Sequence, residues 1–419
     1  MKLKTIIYIL FSLLLLTACV NREEPNNDNN QQEENSNEKD DIVFYPPVEI
    51  KPANTTYSPA FINQTRVSGI KTTTDYAITI ITDQLNSPWG IEQLPSGDLI
   101  VTEKEGTLKI VSLDQTIQDV LFPFDTINSS GQGGLLDVAV SPDFSQSRLL
   151  AFTLSEQTAS GQTTAVATGL LSQDQSEILD FQIIYRALPY FSGVGHYGSR
   201  VIFDEDGHLF VSTGDRQSMQ TRHFVQSLSN GLGKILHMTI DGQPLPSNPY
   251  SGEEGADEAI FALGLRNVQG LAIHPINKSL WASEMGPQGG DELNLIESGK
   301  NYGWPIISYG LEYNGQPIGE GITQKDGLEQ PVYYWDPAVA PSGMVFYASD
   351  VIKEWQNNLF VGALRGQHII RLMIENNRVI GEERLLTEEN QRFRDLATGL
   401  DGSLFAITDA GRLYRISKP

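Results

Sequence analysis

The sequence predicts an all-β fold and, within that class, a six-bladed β-propeller. Short strand-like apolar runs recur six times, roughly 45 to 80 residues apart, which leaves room for a four-stranded blade with variable loops. Helical periodicity is scarce, with one short turn indicated at residues 351–355. The recurring apolar runs are residues 99–101, 149–152, 209–211, 280–282, 359–361 and 404–406. An irregular β-sandwich or two stacked β domains is the alternative that this pattern leaves open.

Each of the six runs follows a turn signal rich in Gly, Asn, Asp, Ser or Pro. These signals lie at residues 95–98, 145–148, 206–207, 277–278, 357–358 and 401–402. In a propeller, the loops of every blade converge at one end of the central axis. Residues far apart in the sequence are therefore expected to share one pocket there.

Composition excludes several classes of protein. The 419 residues carry a net charge of −23, and such a surface repels nucleic acid. A single cysteine, Cys19, excludes an intramolecular disulfide and a zinc site built on several thiolates. The chain is long enough to hold its fold by burying a core.

The N-terminus predicts export. Lys2 and Lys4 precede an apolar run at residues 6–16 that is short for a membrane span. The tetrapeptide at residues 16–19, Leu-Thr-Ala-Cys, resembles a bacterial lipobox, which implies a signal peptide at residues 1–18 and diacylglycerol on the sulfur of Cys19. Several acyl chains on one residue would attach the protein lastingly to a membrane. An ordinary signal peptide with a chance cysteine is the alternative.

Residues 19–69 are predicted to be the lipidated cysteine and a flexible tether, because the stretch to about Asp40 is mostly Asn, Gln, Glu and Asp. Apolar patterning begins near Ile42 and becomes dense after Tyr76, so the propeller is placed at residues 70–419. The predicted location is extracytoplasmic, lipid-anchored to a bacterial cell membrane.

Several polar, glycine-rich or charged loops are candidates for a site. They lie at residues 131–134, 195–200, 264–270, 284–292, 301–305, 364–366 and 391–395. Together with Gly214-Asp215-Arg216 and Pro341-Ser342-Gly343, they resemble the glucose/sorbosone dehydrogenase family over residues 85–416, and most of all its soluble aldose dehydrogenases. The resemblance implies a six-bladed propeller that uses pyrroloquinoline quinone (PQQ) and calcium.

PQQ is a planar tricarboxylate, so an acidic protein needs local cations to bind it. Arg365, Arg392 and Arg394 are candidates, since arginine pairs carboxylates bidentately. Arg392 and Arg394 alternate as on one face of a strand, so both side chains can point the same way. By resemblance, further residues line the cofactor, namely Gln132, Arg266, Asn267 and Tyr313.

His196 is the candidate general base, because it lies in a glycine-rich loop and a neutral imidazole can take a hydroxyl proton near neutral pH. Asp215 resembles the carboxylate partner that would orient the ring. Arg266 would donate to the quinone oxygen where negative charge grows. A structural loop histidine and solvated surface arginines are the alternatives.

Calcium takes oxygen ligands, including backbone carbonyls. The resemblance places one ion at the carbonyls of Gly286 and Pro287, with further contacts at Glu292 and Tyr302. Turn capping is the alternative role for Asp291 and Glu292. Met285 departs from the family, whose members usually carry His or Gln there, and methionine offers no hydrogen-bond donor.

The predicted function is PQQ-dependent oxidation of aldoses at the anomeric hydroxyl to lactones, with an external electron acceptor. A calcium-dependent lactonase propeller is one alternative, although that chemistry does not need an arginine cluster. A non-catalytic propeller that binds glycans or a partner protein is another, and Met285 keeps it open. For the oligomeric state, both a monomer and a homodimer are left open.

Overall fold

The computed structural model describes residues 42–419, of which residues 43–419 form one compact unit. The predicted signal peptide, Cys19 and the part of the predicted tether up to residue 41 lie outside the described residues. Six antiparallel four-stranded sheets make up the unit, and helix is confined to α1 (Phe144–Ser147) and three 3-10 segments. The 3-10 segments are Arg222–Gln226, Lys353–Trp355 and Thr387–Glu389. The predicted all-β six-bladed propeller is confirmed.

The strands follow one another blade by blade. The N-terminal strand is β1 (Ala77–Thr82). Blade 1 contains β2 (Pro88–Gln93), β3 (Leu99–Glu103), β4 (Thr107–Val111) and β5 (Ile117–Val120). Blade 2 contains β6 (Leu135–Val140), β7 (Leu149–Thr158), β8 (Gly161–Leu171) and β9 (Ile178–Arg186). Blade 3 contains β10 (Gly198–Phe203), β11 (Leu209–Thr213), β12 (Lys234–Met238) and β13 (Ile260–Leu263).

The second half of the chain repeats this order. Blade 4 contains β14 (Val268–Ile273), β15 (Leu280–Glu284), β16 (Asp291–Ile296) and β17 (Tyr333–Trp335). Blade 5 contains β18 (Pro341–Phe346), β19 (Leu359–Ala363), β20 (His368–Glu375) and β21 (Arg378–Leu385). Blade 6 contains β22 (Phe393–Thr398), β23 (Leu404–Thr408) and β24 (Leu413–Ser417), and β1 supplies its fourth strand.

The ring closes because the two ends of the folded chain share blade 6. β1 pairs antiparallel with β24, with Ala77 opposite Ser417 and Ile80 opposite Tyr414. The first strands of neighbouring blades contact one another all the way round, from β2 through β6, β10, β14 and β18 to β22 and back to β2. The first strand of each blade is therefore the innermost.

The six recurring apolar runs are the second strands of the six blades. Each is buried on both faces, because alternate side chains enter the cores on either side of the blade. In β3, Ile100 packs with blade 2, whereas Leu99 and Val101 pack with blade 6. In β19, Phe360 packs with blade 6, whereas Val361 packs with blade 4. Burial on both faces explains why these runs read as unbroken apolar sequence.

Residues 43–69 differ from the predicted tether, because they pack against the outer strands of blades 4 and 5. The Tyr334 N–H donates to the Gln64 carbonyl, and the Ile70 N–H donates to the Glu382 carbonyl. Gln64 is fully buried, and its side-chain amide Nε2 donates to the Pro331 carbonyl at 2.9 Å. The compact unit therefore begins at residue 43, although the first strand of the ring is β1 at Ala77–Thr82. This segment is polar and is held by specific hydrogen bonds, so no apolar periodicity in the sequence indicates that it packs.

No helix within residues 42–419 has the length and apolar character that crossing a membrane requires.

Candidate active site

The candidate site lies at the end of the ring where first strands begin and second strands end, here called the front end. First and second strands are antiparallel, so residues just before the first strand and just after the second strand meet there. A cavity of about 350 Å³, the front cavity, opens at this end. Its lining comes mostly from these two positions: Ser87, Trp89, Lys104, Gly131, Gln132, Gln269, Met285, Ala340, Leu364, Arg392, Arg394 and Asp409.

His196 precedes β10 and Asp215 follows β11, so the strand pair brings them together. His196 Nδ1 lies 2.7 Å from Asp215 Oδ1. A Cβ on Gly214 would sit 2.3 Å from the carbonyl oxygen of His196, so only glycine allows this approach. Gly198 has a φ of +66°, which favours glycine, and a Cβ there would meet the Thr213 backbone. The two glycines therefore set the distance between imidazole and carboxylate.

The hydrogen bonds of Asp215 assign the tautomer of the ring. Asp215 Oδ2 accepts from Trp304 Nε1 at 2.9 Å, and Oδ1 also accepts from the Gln217 N–H at 2.8 Å. An ionised carboxylate only accepts, so His196 Nδ1 carries the proton and Nε2 is left as a base.

The electrostatics agree with this assignment. Burial, followed by the positive charge of Arg266, lowers the pKa of His196 from 6.5 to about 4, although Asp215 opposes the shift. Burial alone would raise the pKa of Asp215, but its hydrogen bond to His196 and the nearby positive charges lower it below its usual value. At neutral pH the pair is therefore a neutral imidazole beside a carboxylate.

Arg266 is buried next to this pair. Its carbonyl accepts from the Asp215 N–H at 2.8 Å, and its Nη1 donates to the Met285 carbonyl at 2.7 Å. Its Nη2 lies 3.5 Å from the hydroxyl of Tyr313, whose ring is mostly exposed. The guanidinium also lies over the Trp304 ring at 5.2 Å. Arg266 and Tyr313, predicted from the resemblance, are thus brought together.

Asn267 and Gln132 connect the blades around the pair. Asn267 Oδ1 accepts from the Gly198 N–H at 3.0 Å, and its Nδ2 lies 3.7 Å from Met285 Sδ. Gln132 lines the front cavity, and its Oε1 accepts from the His196 N–H at 2.8 Å. Gln132 is therefore in contact with both the cavity and the backbone of His196.

Arg392 and Arg394 both line the front cavity, as predicted from their alternation. Both Nε atoms donate to one carboxylate, Asp409, at 2.7 and 2.8 Å. Arg394 Nη1 also donates to Gln269 Oε1 at 3.1 Å. The two guanidinium groups therefore point the same way and share one counterion.

Lys104 is a cation that the sequence interpretation missed. Its Nζ donates to the Gly131 carbonyl at 2.8 Å at the edge of the front cavity. Partial burial, followed by the charge of Arg394, lowers the pKa of Lys104. Asp409 was missed as well. Both residues directly follow a recurring second strand, and this position was the signal that could have found them.

Arg365 does not join the other predicted cations. Its side chain is exposed and is not part of the lining of the front cavity, whereas the preceding residue, Leu364, is. Its backbone N–H donates to the Val339 carbonyl at 3.0 Å.

A second and much smaller cavity, the acidic cavity, shares Met285 with the lining of the front cavity. Glu284 and Glu292 are opposite each other on β15 and β16, and Asn294 Nδ2 donates to both carboxylates at 3.1 and 3.3 Å. Burial raises the pKa of Glu284 to about 7 and, with repulsion from Glu284, the pKa of Glu292 well above its usual value. The lining is Arg266, Glu284, Met285, Gly286, Gly290, Glu292, Tyr302, Trp304, Ile307 and Ser308.

Three of the four predicted calcium ligands, Gly286, Glu292 and Tyr302, line this cavity, and Pro287 does not. The Tyr302 hydroxyl is already committed, because it donates to the Leu295 carbonyl at 2.6 Å and accepts from the Glu297 N–H at 2.9 Å. Asp291 caps two turns, since its oxygens accept from the N–H groups of residues 286, 339 and 340. Two facing carboxylates that lack a full counter-charge form a donor set that suits a hard cation.

The fold and this end of the ring define a class: a six-bladed propeller with a buried imidazole–carboxylate pair beside a cation-lined cavity. The glucose/sorbosone dehydrogenase family model matches residues 85–415, and the chain belongs to this family. The predicted resemblance is therefore confirmed.

Curated relatives and solved structures agree with this membership. Aldose sugar dehydrogenase YliI of Escherichia coli (strain K12) is 38% identical over 345 residues, covering 81% of this chain and 92% of that protein. The apo-form crystal structure of the soluble aldose sugar dehydrogenase from Escherichia coli covers 82% of this chain and 100% of its own, at a TM-score of 0.78 and 37% identity. The PQQ-bound aldose sugar dehydrogenase of Streptomyces coelicolor covers 83% and 99%, at a TM-score of 0.68 and 28% identity.

Proposed function

We propose that the chain oxidises aldoses at the anomeric hydroxyl to lactones, with PQQ as the cofactor. The observation that carries the proposal is the buried His196–Asp215 pair, which lies beside a cavity lined by three cationic side chains. The relatives that are named aldose sugar dehydrogenases, one of them PQQ-bound, support the same reaction class.

The front cavity fits the chemistry of a planar tricarboxylate. Lys104, Arg392 and Arg394 supply the positive charge, and Gln132 adds an amide at the side of His196. Asp409 offsets part of that charge, because its carboxylate accepts hydrogen bonds from the Nε atoms of Arg392 and Arg394. We assign Arg392, Arg394, Lys104 and Gln132 to hold the cofactor, with Arg266, Asn267 and Tyr313 at its His196 side.

The reaction assigns a separate task to each group. PQQ, when bound, supplies an ortho-quinone that accepts the hydride from the anomeric carbon, and an external acceptor later removes the electrons. The Nε2 atom of His196 takes the hydroxyl proton, for which a neutral imidazole is needed. Asp215 keeps the proton on Nδ1 and stabilises the imidazolium that forms. Arg266 places a buried positive charge where negative charge develops.

We assign calcium to the acidic cavity. Glu284 and Glu292 would supply charge, and backbone oxygens around Gly286 and Tyr302 would complete a hard oxygen shell. Binding should raise the melting temperature of the wild type, because a ligand that binds only the native state stabilises it. In Glu292→Gln this response to Ca²⁺ should be lost. An equal response in both proteins would contradict the assignment.

One assay tests the reaction. The purified chain is mixed with PQQ and Ca²⁺, then with glucose and a redox dye, and dye reduction is followed with and without PQQ. We expect reduction that depends on PQQ, and a loss of about 10²- to 10⁴-fold in kcat for His196→Gln. His274→Gln, a substitution in the β14–β15 turn at the opposite end of a blade, is the matched control.

The assay also separates the alternatives. Lactone hydrolysis without PQQ would favour the lactonase, and neither activity would favour a glycan- or protein-binding propeller. PQQ binding by equilibrium titration must persist in His196→Gln if the residue is the base. Equal turnover in wild type and variant would refute that role.

We further propose that the protein is exported and anchored by lipid at Cys19, which lies outside the described residues. The lipobox-like tetrapeptide at residues 16–19 supports this. Cys19→Ala should release or mislocalise the protein, as measured by fractionation of membranes. Unchanged membrane association of this variant would contradict lipid anchoring at Cys19.

A further inference from the structure

A cluster of metal-ligating side chains lies at the opposite end of blade 3 from His196. Asp204 follows β10, His208 precedes β11, and His237 lies on β12. Asp204 Oδ2 is 2.9 Å from His237 Nε2 and 3.4 Å from His208 Nδ1. One ligand atom from each of the three residues lies within 4.8 Å of the other two. The cluster has no part in the proposed reaction, because β10 separates it from the front end.

The ligand atoms are held in place by neighbouring groups. Asp204 Oδ1 accepts from the backbone N–H groups of Asp206 and His208 at 2.9 and 2.8 Å, which leaves Oδ2 directed at the two imidazoles. The His237 ring stacks on Phe210 with centroids 4.0 Å apart and an angle of 8°. Such surrounding contacts fix the orientation of a ligand before a metal arrives.

A second observation comes from Asn248, which is buried beside His237. Its Nδ2 donates to the His237 carbonyl at 2.8 Å, while its Oδ1 is buried without a hydrogen-bond partner among the described residues. A metal on Nε2 would place the remaining ring proton on Nδ1, where Asn248 Oδ1 could accept it.

We propose that Asp204, His208 and His237 bind one divalent transition metal ion, with Zn²⁺ as the best match. Two imidazole nitrogens and one carboxylate oxygen suit zinc, copper or nickel, whereas calcium prefers oxygen alone. Zn–N and Zn–O bonds of about 2.0–2.2 Å bridge ligand atoms separated by these distances after small side-chain rotations. Water would complete the tetrahedral shell, since the His208 side chain is 32% exposed.

The ion would have a structural role. It would tie the β10–β11 turn to β12 and so stabilise blade 3. It would leave the sugar-oxidising reaction unchanged, because the front cavity shares no residue with the cluster.

Titration calorimetry with Zn²⁺ tests the site on untagged full-length protein. The protein is first treated with a chelator and then kept in excess Ca²⁺, so that oxygen-rich sites are filled. The wild type should bind one Zn²⁺ per chain. Its affinity should exceed that of His208→Gln by at least about tenfold. His274→Gln removes a histidine from the corresponding turn of blade 4 and should bind as the wild type does.

Two further measurements make the outcome decisive. X-ray absorption should show nitrogen or oxygen ligands at about 2.0–2.1 Å in the wild type. The melting temperature should rise with Zn²⁺ in the wild type and His274→Gln, but not in His208→Gln or His237→Gln. Equal zinc affinity in wild type and His208→Gln, or no binding by the wild type, would overturn the proposal and leave a hydrogen-bonded His–Asp–His cluster.

Discussion

Blades 3 and 6 each pair a basic residue before the first strand with an aspartate after the second strand, with different consequences. In blade 3, His196 lies two residues before β10 and Asp215 two residues after β11. In blade 6, Arg392 directly precedes β22 and Asp409 directly follows β23. The His196 and Asp215 side chains are 4% and 2% exposed, against 48% and 29% for Arg392 and Asp409. Burial makes the first pair a neutral base with a fixed partner, whereas exposure leaves the second as a charge pair open to an incoming anion.

Asp215→Asn should have the largest effect, because it breaks the buried pair. The amide can still accept from Trp304, but it no longer holds the proton on His196 Nδ1 or stabilises an imidazolium. We expect kcat to fall by about 10²- to 10⁴-fold, with PQQ binding retained. Steady-state kinetics at saturating PQQ would measure this. A drop in PQQ affinity with normal kcat would assign Asp215 to the cofactor instead.

Arg394→Gln tests the second guanidinium group that shares the Asp409 carboxylate with Arg392. Loss of one charge-assisted contact to a carboxylate should weaken PQQ binding by about 10- to 100-fold, with little change in kcat once PQQ is saturating. Fluorescence or calorimetric titration with PQQ gives the affinity. Arg365→Gln is the matched control, since Arg365 is exposed outside the cavity lining and should bind PQQ as the wild type does.

The pH dependence of stability should report on the burial of His196 in the blade 3 pair. The pKa of His196 falls from 6.5 to about 4 on folding, so its contribution to stability is present above pH 6.5 and is lost as the pH falls towards 4. Between pH 8 and pH 5 this loss amounts to about 2 kcal/mol. Urea unfolding should therefore show His196→Gln losing less stability than the wild type on acidification. Parallel pH curves would show that His196 is not held neutral.

Asp409→Asn should have the smallest effect, and one of opposite sign to Arg394→Gln. Removing a negative charge from the front cavity should strengthen PQQ binding a few-fold, because Arg392 and Arg394 would lose their internal counterion. The gain should shrink as salt is added, since the site is partly exposed. Weaker binding at every ionic strength would mean that Asp409 matters by orienting the guanidinium groups.

Much of the fold was predictable because the second strands are buried on both faces. Ile100, Phe210 and Phe360 each continue an apolar run that no exposed face interrupts. The packing of residues 43–69 against blades 4 and 5 was not predicted, for the converse reason. Their attachment depends on single polar contacts, such as the Thr55 N–H donating to Asp336 Oδ2 at 3.0 Å. Such contacts leave no periodic pattern of apolar residues in the sequence.

The site was predictable where a residue type is informative by itself. His196 could be selected because it is one of six histidines and lies in a glycine-rich loop, and Arg392 and Arg394 because they alternate in one charged loop. Lys104, Asp409 and Glu284 could not, since lysines and carboxylates are common on surfaces. Only their position at the end of a second strand distinguishes them.

The sequence by itself determined the number of blades and the class of the fold, and it selected His196, Arg392 and Arg394 as candidates, because strand periodicity and rare residue types are local properties. The tertiary structure decided which groups are buried and which share a cavity. That depends on closure of the ring by β1 and β24 and on the glycines that let strands approach. Burial is a property of the assembled ring, so the lowered pKa of His196 arises only after the blades have packed around it.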